Sequence, residues 1–266
     1  MTDEHDLGLS HDLPRLLGRR GVLGMFGALG VAAVAAGCAS SDDPSAVADP
    51  APSQASTADG EIPEETAGPY PGDGSNGVNV LTESGIVRSD LTTSFGSASG
   101  VAEGVPVTID LTVYDLNGSD VSPMSGAAIY LWHCDREGRY SMYDDEIAEE
   151  NYLRGVQEAD ADGKVRFTSI FPACYDGRWP HMHFEVYASL DDATSYTSKL
   201  RTSQLALPQD VCETVYATEG YEQSVTNLAR TSLDTDMVFA DGHSLQLATV
   251  TGSVADGYAI SLNVPV

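Results

Sequence analysis

Short strand-like runs separated by turn residues are the feature that most constrains the fold of this chain. Most of the runs alternate polar with apolar or β-branched residues, and Gly, Asp, Asn or Pro bounds them, as is typical of strands. The runs are Val105–Tyr114, Ala127–Trp132, Lys164–Ile170, Met182–Ala188, Leu245–Thr251 and Tyr258–Val264. The segment from Pro208 to Arg230 does not alternate and is predicted to form one or two short helices. The pattern predicts an all-β fold, an antiparallel β-sandwich with a few short helices.

The chain before the strands is predicted to be a tether that leads into a single folded domain. Residues 39–64 are mainly Ser, Asp, Ala and Pro with almost no large apolar side chain, so they cannot bury enough surface to fold. We expect a flexible, low-complexity spacer there. Since no internal repeat or second domain is evident after it, residues 65–266 are predicted to form one β-sandwich domain.

The first 38 residues have the order of an export signal. Arg19 and Arg20 precede an apolar run, Val22–Ala36, that is too short to span a bilayer and ends in small residues before Cys38. The paired arginines resemble a twin-arginine signal, and the residues up to Cys38 resemble a bacterial lipobox. We therefore expect export, either as a cell-surface lipoprotein anchored at Cys38 or as a secreted protein, with no membrane contact beyond the N-terminal lipid anchor.

The charge of the chain argues against a nucleic-acid partner. Its 266 residues include 13 Lys and Arg against 40 Asp and Glu, a formal net charge of -27. A surface of this sign repels phosphate groups. The charge is typical of a solvated acidic surface and indicates little about chemistry.

Three cysteines remain once Cys38 is set aside: Cys134, Cys174 and Cys212. Disulfides persist in an oxidising compartment, so one pair and one free thiol is the simplest expectation. Three pairings are possible, and the sequence does not choose among them.

The pair His181 and His183 is the first candidate for chemistry. The two residues lie in a strand-like run, where side chains at positions two apart project from the same face. Two neutral imidazoles on one face form a chelate for a metal ion. The alternative is a pair of hydrogen-bonded core or surface histidines. His133 and His243 are left out of the site, because His133 is expected to face away from the Trp132 side and His243 lies in a turn.

Two tyrosines in loops near this pair extend the candidate site. Tyr175 lies in a loop that leads into the histidine strand, and Tyr140 ends a loop that follows the strand containing Trp132. A trivalent metal can ionise a phenol far below its usual pKa of about 10. Two phenolates and two imidazoles would favour Fe(III) over Fe(II) or zinc. The alternative is that both tyrosines are ordinary hydrogen-bonded loop aromatics.

An ordered set of motifs resembles the intradiol ring-cleavage dioxygenases, the family of protocatechuate 3,4-dioxygenase and catechol 1,2-dioxygenase. The segments that carry the resemblance are Glu65–Tyr70, Val87–Leu91, Leu131–Trp132, Gly138–Tyr140, Pro172–Tyr175, Arg178–Phe184 and Thr202–Leu205. They cover most of the predicted domain and match the family's motifs in order. The resemblance implies a catalytic β-sandwich that cleaves the ring of a catechol with O2 to a muconate-type dicarboxylate.

The resemblance also implies roles for individual residues. It implies Fe(III) bound by Tyr140, Tyr175, His181 and His183. Tyr175 would be the ligand that dissociates when substrate binds. Arg178 would stabilise negative charge on the substrate, a role that suits a permanently charged guanidinium, and the alternative for it is a salt bridge to a nearby acid. Gln204 would orient a substrate or ligand oxygen.

Two other classes of function stay open at this stage. One is a non-catalytic β-sandwich lipoprotein that binds carbohydrate or protein. The other is a zinc hydrolase that uses His181 and His183 with a carboxylate. The identity of the catechol and the oligomeric state are not determined by the sequence, and we expect the substrate pocket to be lined by loops near Tyr70, Arg88 and the segment Met142–Arg154.

Overall fold

The computed structural model describes residues 60–117 and 120–266. The predicted export signal, with Arg19, Arg20 and Cys38, and nearly all of the predicted tether lie outside the described residues. Within the described part of the chain, no helix has the length and apolar character needed to cross a membrane.

The described residues form strands with two short helices. The strands are β1 (Pro106–Asn117), β2 (Asp120–Pro123), β3 (Ala128–Trp132), β4 (Arg154–Glu158), β5 (Lys164–Ile170), β6 (His181–Tyr187), β7 (Lys199–Ala206), β8 (Thr249–Ser253) and β9 (Gly257–Pro265). The helices are α1 (Gln209–Tyr216) and α2 (Glu222–Leu228). Five of the six predicted runs and the predicted helical segment are confirmed, whereas in the run Leu245–Thr251 the strand begins only at Thr249. Strands β2, β4 and β7 lie outside the six runs.

Two sheets form the sandwich. One has the order β2-β1-β9-β8 with β5 also paired to β1, and the other has the order β4-β3-β6-β7. The second sheet is antiparallel throughout. In the first sheet, β1 and β9 pair in parallel, which differs from the antiparallel prediction. A parallel pair requires a long crossover connection, and here almost the whole domain connects the two strands.

The core lies between the two sheets, and strand alternation places it there. Ile109 and Leu111 of β1 belong to the same buried cluster as Met182, Phe184 and Val186 of β6. Because neighbouring residues of a strand point to opposite faces, the odd-numbered residues of β6 point away from this core. A second buried cluster covers that outer face; it includes Tyr140, and Tyr175 packs against it.

The folded domain begins a few residues before the predicted boundary at residue 65. Ile62 is fully buried in the core between the sheets, and its backbone N–H donates to the carbonyl of Pro265 at 2.7 Å. The assignment of residues 61–64 to the tether is therefore wrong. This segment lacks a strand-like pattern, and it is attached to the sandwich by the buried Ile62 and by contacts of Glu61 and Glu64 with β7.

The expectation of a disulfide is also wrong, since Cys134, Cys174 and Cys212 are all free and buried. The Cys134 thiol points to the carbonyl of Ala173 and the Cys174 thiol to the carbonyl of Arg178. Burial raises the pKa of the Cys174 thiol to about 12. Because the thiolate is the form that exchanges, these cysteines behave as apolar core residues.

Candidate metal centre

Two imidazoles and two phenols converge on the outer face of the four-stranded sheet. His181 Nε2 lies 3.1 Å from His183 Nε2 and 3.1 Å from the Tyr175 hydroxyl. The Tyr140 ring stands edge-on to Tyr175 and His183, with ring centroids 6.0 and 6.2 Å away. His181, His183 and Tyr140 are almost fully buried. Tyr140 and the segment from Tyr175 to His183 therefore place four nitrogen and oxygen donors together.

Strand β6 positions the two histidines. They lie two residues apart in a regular strand, so both rings project from the outer face, as the sequence predicts. The register places His183 opposite Trp132 of β3 and opposite Gln204 of β7. Because directly paired residues point to the same side of a sheet, Trp132 and Gln204 flank His183 on the outer face.

The loop that carries Tyr175 is held by helix α2. The Ser224 hydroxyl accepts from the backbone N–H of Cys174 at 3.0 Å, and the Asn227 amide donates to the Cys174 carbonyl at 2.8 Å. Gly138, at φ 91°, lets the neighbouring loop approach closely, since a Cβ at this position would lie 3.1 Å from Tyr175 Cβ. The backbone on the N-terminal side of Tyr175 is thereby fixed.

A tight turn places Tyr140. The Asp135 carboxylate accepts from the backbone N–H groups of Glu137 and Arg139, both at 2.9 Å. The backbone N–H of Tyr140 then donates to the Asp144 carboxylate at 2.8 Å. Aspartate is favoured in such turns because its side chain can take the place of a backbone acceptor. The turn directs the Tyr140 ring inward, onto the second buried cluster.

The two imidazoles are oriented in different ways. His181 Nδ1 lies 2.5 Å from the Trp179 carbonyl, which can only accept, so Nδ1 carries the proton and Nε2 keeps its lone pair. The His183 ring instead stacks on Trp132, with centroids 5.0 Å apart and planes within 6°. A Cβ at Gly68 would lie 3.3 Å from His183 Cε1, so only glycine fits there without displacement. Packing against Trp132 and the close approach of Gly68 thus hold His183.

The protonation states make the histidines better donors than the phenols. Burial, with the neighbouring Arg178 charge, holds the pKa of His181 well below its usual value. Burial and the adjacent His181 do the same for the pKa of His183, so both rings are neutral at neutral pH. Burial raises the pKa of Tyr175 to about 12 and that of Tyr140 well above 10. Ionising these phenols requires a strong local positive charge.

The donor set fits a trivalent metal ion. The Tyr140 hydroxyl is buried and makes no hydrogen bond of normal geometry with the described residues, although burying an unpaired polar group is costly. A metal ion would satisfy that oxygen and supply the charge that phenol ionisation needs. The oxygens that face the histidine pair are phenols rather than carboxylates. The arrangement therefore favours the hard ferric ion over the zinc site of the alternative.

Arg178 lies beside the four donors, and hydrogen bonds hold its guanidinium on two sides. Its Nε donates to Asp236 Oδ2 at 2.9 Å, and its Nη2 donates to Gln204 Oε1 at 2.7 Å. The third nitrogen, Nη1, lies 3.5 Å from His181 Nε2 and faces the donors. The salt bridge considered for Arg178 is thus present in the structure, while its role toward the substrate stays a prediction. The side chain is in a buried salt bridge, and it also presents a charged edge to the candidate site.

An aromatic wall borders the site on the Tyr140 side. The ring of Tyr70 lies 5.1 Å from that of Tyr140 and 5.2 Å from that of Tyr143, and Tyr70 is 38% exposed. The buried Arg154 guanidinium lies 5.3 Å from the Tyr143 ring centroid and donates to the Pro71 carbonyl at 2.9 Å. Tyr70 therefore stands between the buried Tyr140 and solvent, and Arg154 braces the segment that holds it.

The six residues predicted for the site lie together in the structure. They are Tyr140, Tyr175, Arg178, His181, His183 and Gln204. The Gln204 amide is already engaged, because its Nε2 donates to the Thr66 carbonyl at 2.9 Å. Gln204 thus connects Arg178 to the segment before Gly68, and a hydrogen bond from it to substrate stays a prediction.

Two other residues singled out in the sequence lie elsewhere. His133 is buried, with Nδ1 2.7 Å from the Cys134 carbonyl and Nε2 2.7 Å from the Ser169 hydroxyl. Arg88 donates to backbone carbonyls at Asn151 and Arg154, so it braces the end of the Met142–Arg154 segment instead of facing the four donors.

Asp236 is the residue of this site that the sequence analysis missed. It follows the predicted helical segment in a stretch without a recognisable motif. The folded structure alone brings it to Arg178, 58 residues earlier in the chain.

Comparison with known proteins identifies related sequences. The family model described as Dioxygenase matches residues 83–220, more than half of the chain. Catechol 1,2-dioxygenase 1 of Acinetobacter lwoffii is 37% identical over 71 residues, 26% of this chain and 22% of that relative. Hydroxyquinol 1,2-dioxygenase of Corynebacterium glutamicum is 32% identical over 112 residues, 35% of each chain. The chain thus spans about a third or less of the length of these curated relatives.

A solved structure is similar over a much larger part of the chain. The intradiol ring-cleavage dioxygenase from Tetranychus urticae superimposes with a TM-score of 0.59 at 22% identity, and the match covers 77% of this chain and 94% of that one. Because the sequence identity is 22%, this similarity is evidence for the fold alone. The segment matched by the family model contains all six predicted site residues, whereas Gly68, Tyr70 and Asp236 lie outside it.

Proposed function

The chain belongs to the intradiol ring-cleavage dioxygenase family, and on that premise we propose that it is a non-haem Fe(III) enzyme that cleaves catechol-type substrates with O2. The ring bond between the two hydroxyl-bearing carbons would break, both oxygen atoms would be added, and a muconate-type dicarboxylate would form. The observation that carries the proposal is the convergence of two neutral imidazoles, the half-buried Tyr175 phenol and the buried Tyr140 phenol, which makes no hydrogen bond of normal geometry, beside a buried guanidinium.

The metal ion has a defined place in this proposal. A ferric ion held by Tyr140, Tyr175, His181 and His183 would supply the Lewis acidity that ionises both phenols and binds the two catechol oxygens. His181 is prepared for this role by the Trp179 carbonyl, which keeps the Nε2 lone pair free. His183 is prepared by its packing against Trp132.

The two tyrosines differ in how firmly they are held, which supports different roles. Tyr140 is 2% exposed and packs between Tyr70, Tyr175 and His183. Tyr175 is half-buried and lies two residues before Gly177, which has a φ of 81°. A catechol that binds through both oxygens must lose two protons: the Tyr175 oxygen would accept one of them as it moves away, and solvent would accept the other. Tyr140 would stay in place.

Arg178 would stabilise negative charge on the substrate. Its Nη1 faces the donors at 3.5 Å from His181 Nε2, in a site from which water is largely excluded. A fixed charge in such surroundings stabilises a developing anion more strongly than it would in water. Tyr70 covers the neighbouring Tyr140 ring and limits the access of water from that side.

We further propose that the substrate is a catechol without an ionised ring substituent. The buried guanidiniums beside the site are engaged, Arg178 with Asp236 and Arg154 with the Pro71 and Ser141 carbonyls. The rings of Tyr70 and Tyr143 beside Tyr140 offer a carboxylate no cationic partner, and the protein has a net charge of -27. We expect kcat/KM for catechol to exceed that for protocatechuate by at least about 10- to 100-fold, because an unpaired buried polar group costs about 1–3 kcal/mol and a charged group costs more. Steady-state oxygen uptake with both substrates measures the ratio, and equal values would contradict this specificity.

Oxygen consumption by the iron-loaded protein tests the proposed reaction. With catechol, one O2 should be consumed for each catechol, and the product should be the dicarboxylate. A product cleaved beside the hydroxyl-bearing carbons instead of between them would contradict the proposal. So would the absence of oxygen uptake in protein that contains one ferric ion per chain.

We also propose that the enzyme acts outside the cell membrane, anchored through a lipid on Cys38. The order of paired arginines, apolar run, small residues and cysteine supports this proposal. Replacing Cys38 with serine is expected to remove the lipid mass and move the protein from the membrane to the soluble fraction. Fractionation and mass spectrometry measure this, and an unchanged membrane fraction in Cys38→Ser would contradict the anchor.

A further inference from the structure

Asp236 is a buried carboxylate in the connection between α2 and β8. Its side chain is fully buried, and it accepts from Arg178 Nε at 2.9 Å and Arg178 Nη2 at 3.3 Å. Residue 236 lies beyond the segment that the family model matches. The carboxylate that neutralises Arg178 therefore comes from a part of this chain that the family match does not cover.

The Asp236 carboxylate is itself held in place by the backbone. It accepts from the N–H groups of Trp179 at 2.7 Å, Val238 at 2.8 Å and Phe239 at 3.2 Å. These bonds connect it to the residue after Arg178 and to its own turn. Neither oxygen can rotate away without leaving buried N–H groups unpaired, which is costly. Asp236 is thus a fixed point against which the guanidinium is aligned.

This alignment determines which edge of the guanidinium faces the site. Asp236 and Gln204 engage Nε and Nη2, so Nη1 is the nitrogen directed at His181 Nε2. A planar guanidinium held by two acceptors has little freedom to turn. Removing the charge at Asp236 would also leave a buried cation without its partner, and such a cation would rotate or draw in water.

We propose that Asp236 is a positioning residue, which acts through Arg178 by fixing the guanidinium edge that faces the substrate. The proposal rests on the proposed dioxygenase function of the same site. Asp236 does not touch substrate in this account. Its contribution is to the orientation and charge balance of Arg178, so it should affect turnover more than substrate binding.

Asp236→Asn is the test variant, because asparagine has the same shape and lacks the charge. We expect kcat for catechol to fall by about 10- to 100-fold, the range for losing a hydrogen bond to a charged group, with KM changed less than about threefold. The iron content per chain should stay unchanged. The matched control is Asp110→Asn, which removes the same charge from the exposed pair with Arg166 on the other sheet and should leave kcat as in the wild type.

A double-mutant cycle separates positioning from a general structural role. In an Arg178→Ala background, Asp236→Asn should lower kcat by less than about twofold, because the group through which it acts is gone. Equal losses in both backgrounds would overturn the proposal. If Asp236→Asn does not fold, Arg178→Lys serves instead, since it keeps the charge but loses the two-sided alignment. Wild-type kcat in Arg178→Lys would overturn the proposal as well.

A readout that needs no activity distinguishes this proposal from the proposed function. In nitrogen-15 NMR of the full chain without added metal, the Arg178 Nε–H signal should be protected from exchange and should shift or broaden in Asp236→Asn, but not in Asp110→Asn. If iron-loaded wild type fails to consume oxygen with catechol, the proposed function fails while this signal still tests the alignment. An Arg178 signal that is unchanged in Asp236→Asn would overturn the alignment whatever the activity.

Discussion

Replacing His183 with alanine is expected to lower the affinity for ferric iron by more than about a hundredfold and to abolish oxygen uptake with catechol. Loss of a partner that only orients a metal ligand costs about 10- to 100-fold in affinity, and His183 is proposed to be a ligand itself. The variant also leaves a space beside Trp132 and Gly68, which hold the ring. Titration of metal-free protein with ferric iron, followed by oxygen uptake, measures both effects.

His243→Ala is the matched control for this prediction. His243 lies in a turn, with Nδ1 3.3 Å from the Phe239 carbonyl, and is not among the converging donors. The same change of residue type there should leave iron affinity and oxygen uptake close to the wild type. Iron binding that is as tight in His183→Ala as in the control would show that the histidine pair is not the metal site.

Replacing Arg154 with methionine is expected to lower the free energy of unfolding by about 3 kcal/mol, the largest effect on stability that we expect. Its guanidinium donates to the carbonyls of Pro71 and Ser141 at 2.9 Å and lies 3.2 Å from the Tyr130 hydroxyl. Methionine fills much of the same volume but donates nothing, so the buried Ser141 carbonyl loses its donor and the Pro71 carbonyl keeps only the Tyr130 hydroxyl, at 2.6 Å. Urea unfolding measures the change, provided that the transition is two-state.

Arg166→Met is the control for stability. Arg166 pairs with Asp110 on the exposed face of the other sheet, where an ion pair contributes less than about 1 kcal/mol. If Arg154→Met lowered the free energy of unfolding by no more than this control does, Arg154 would not stabilise the segments that hold Tyr70 and Tyr140.

Strand periodicity was sufficient to predict the sandwich and the relation between His181 and His183. Both follow from local rules, because alternation determines which face a side chain occupies. The prediction that Tyr140 and Tyr175 join this site came instead from the family resemblance of the motifs that contain them. Nothing in the two loops alone requires the tyrosines to meet. The structure brings these four residues together, while metal binding itself stays a prediction.

What the sequence did not predict depends on contacts between distant segments. Asp236 lies in an irregular connection and reaches Arg178 only because the chain folds back along β7 and the helices. The parallel pairing of β1 with β9 is likewise a matter of topology. The free cysteines were missed because residue counting suggests a pair, whereas disulfide formation depends on where each thiol points in the core. Each of these features is determined by tertiary packing, which a local sequence pattern does not predict.

The visible absorption spectrum of the protein loaded with one ferric ion per chain tests the central claim most directly. If Tyr140 and Tyr175 bind the ion as phenolates, charge transfer from phenolate to Fe(III) should give a broad visible band and a coloured protein. The band should weaken and shift in Tyr140→Phe and in Tyr175→Phe. Stoichiometric ferric iron in a colourless wild-type protein would contradict the account, because the phenols would then not be ligands.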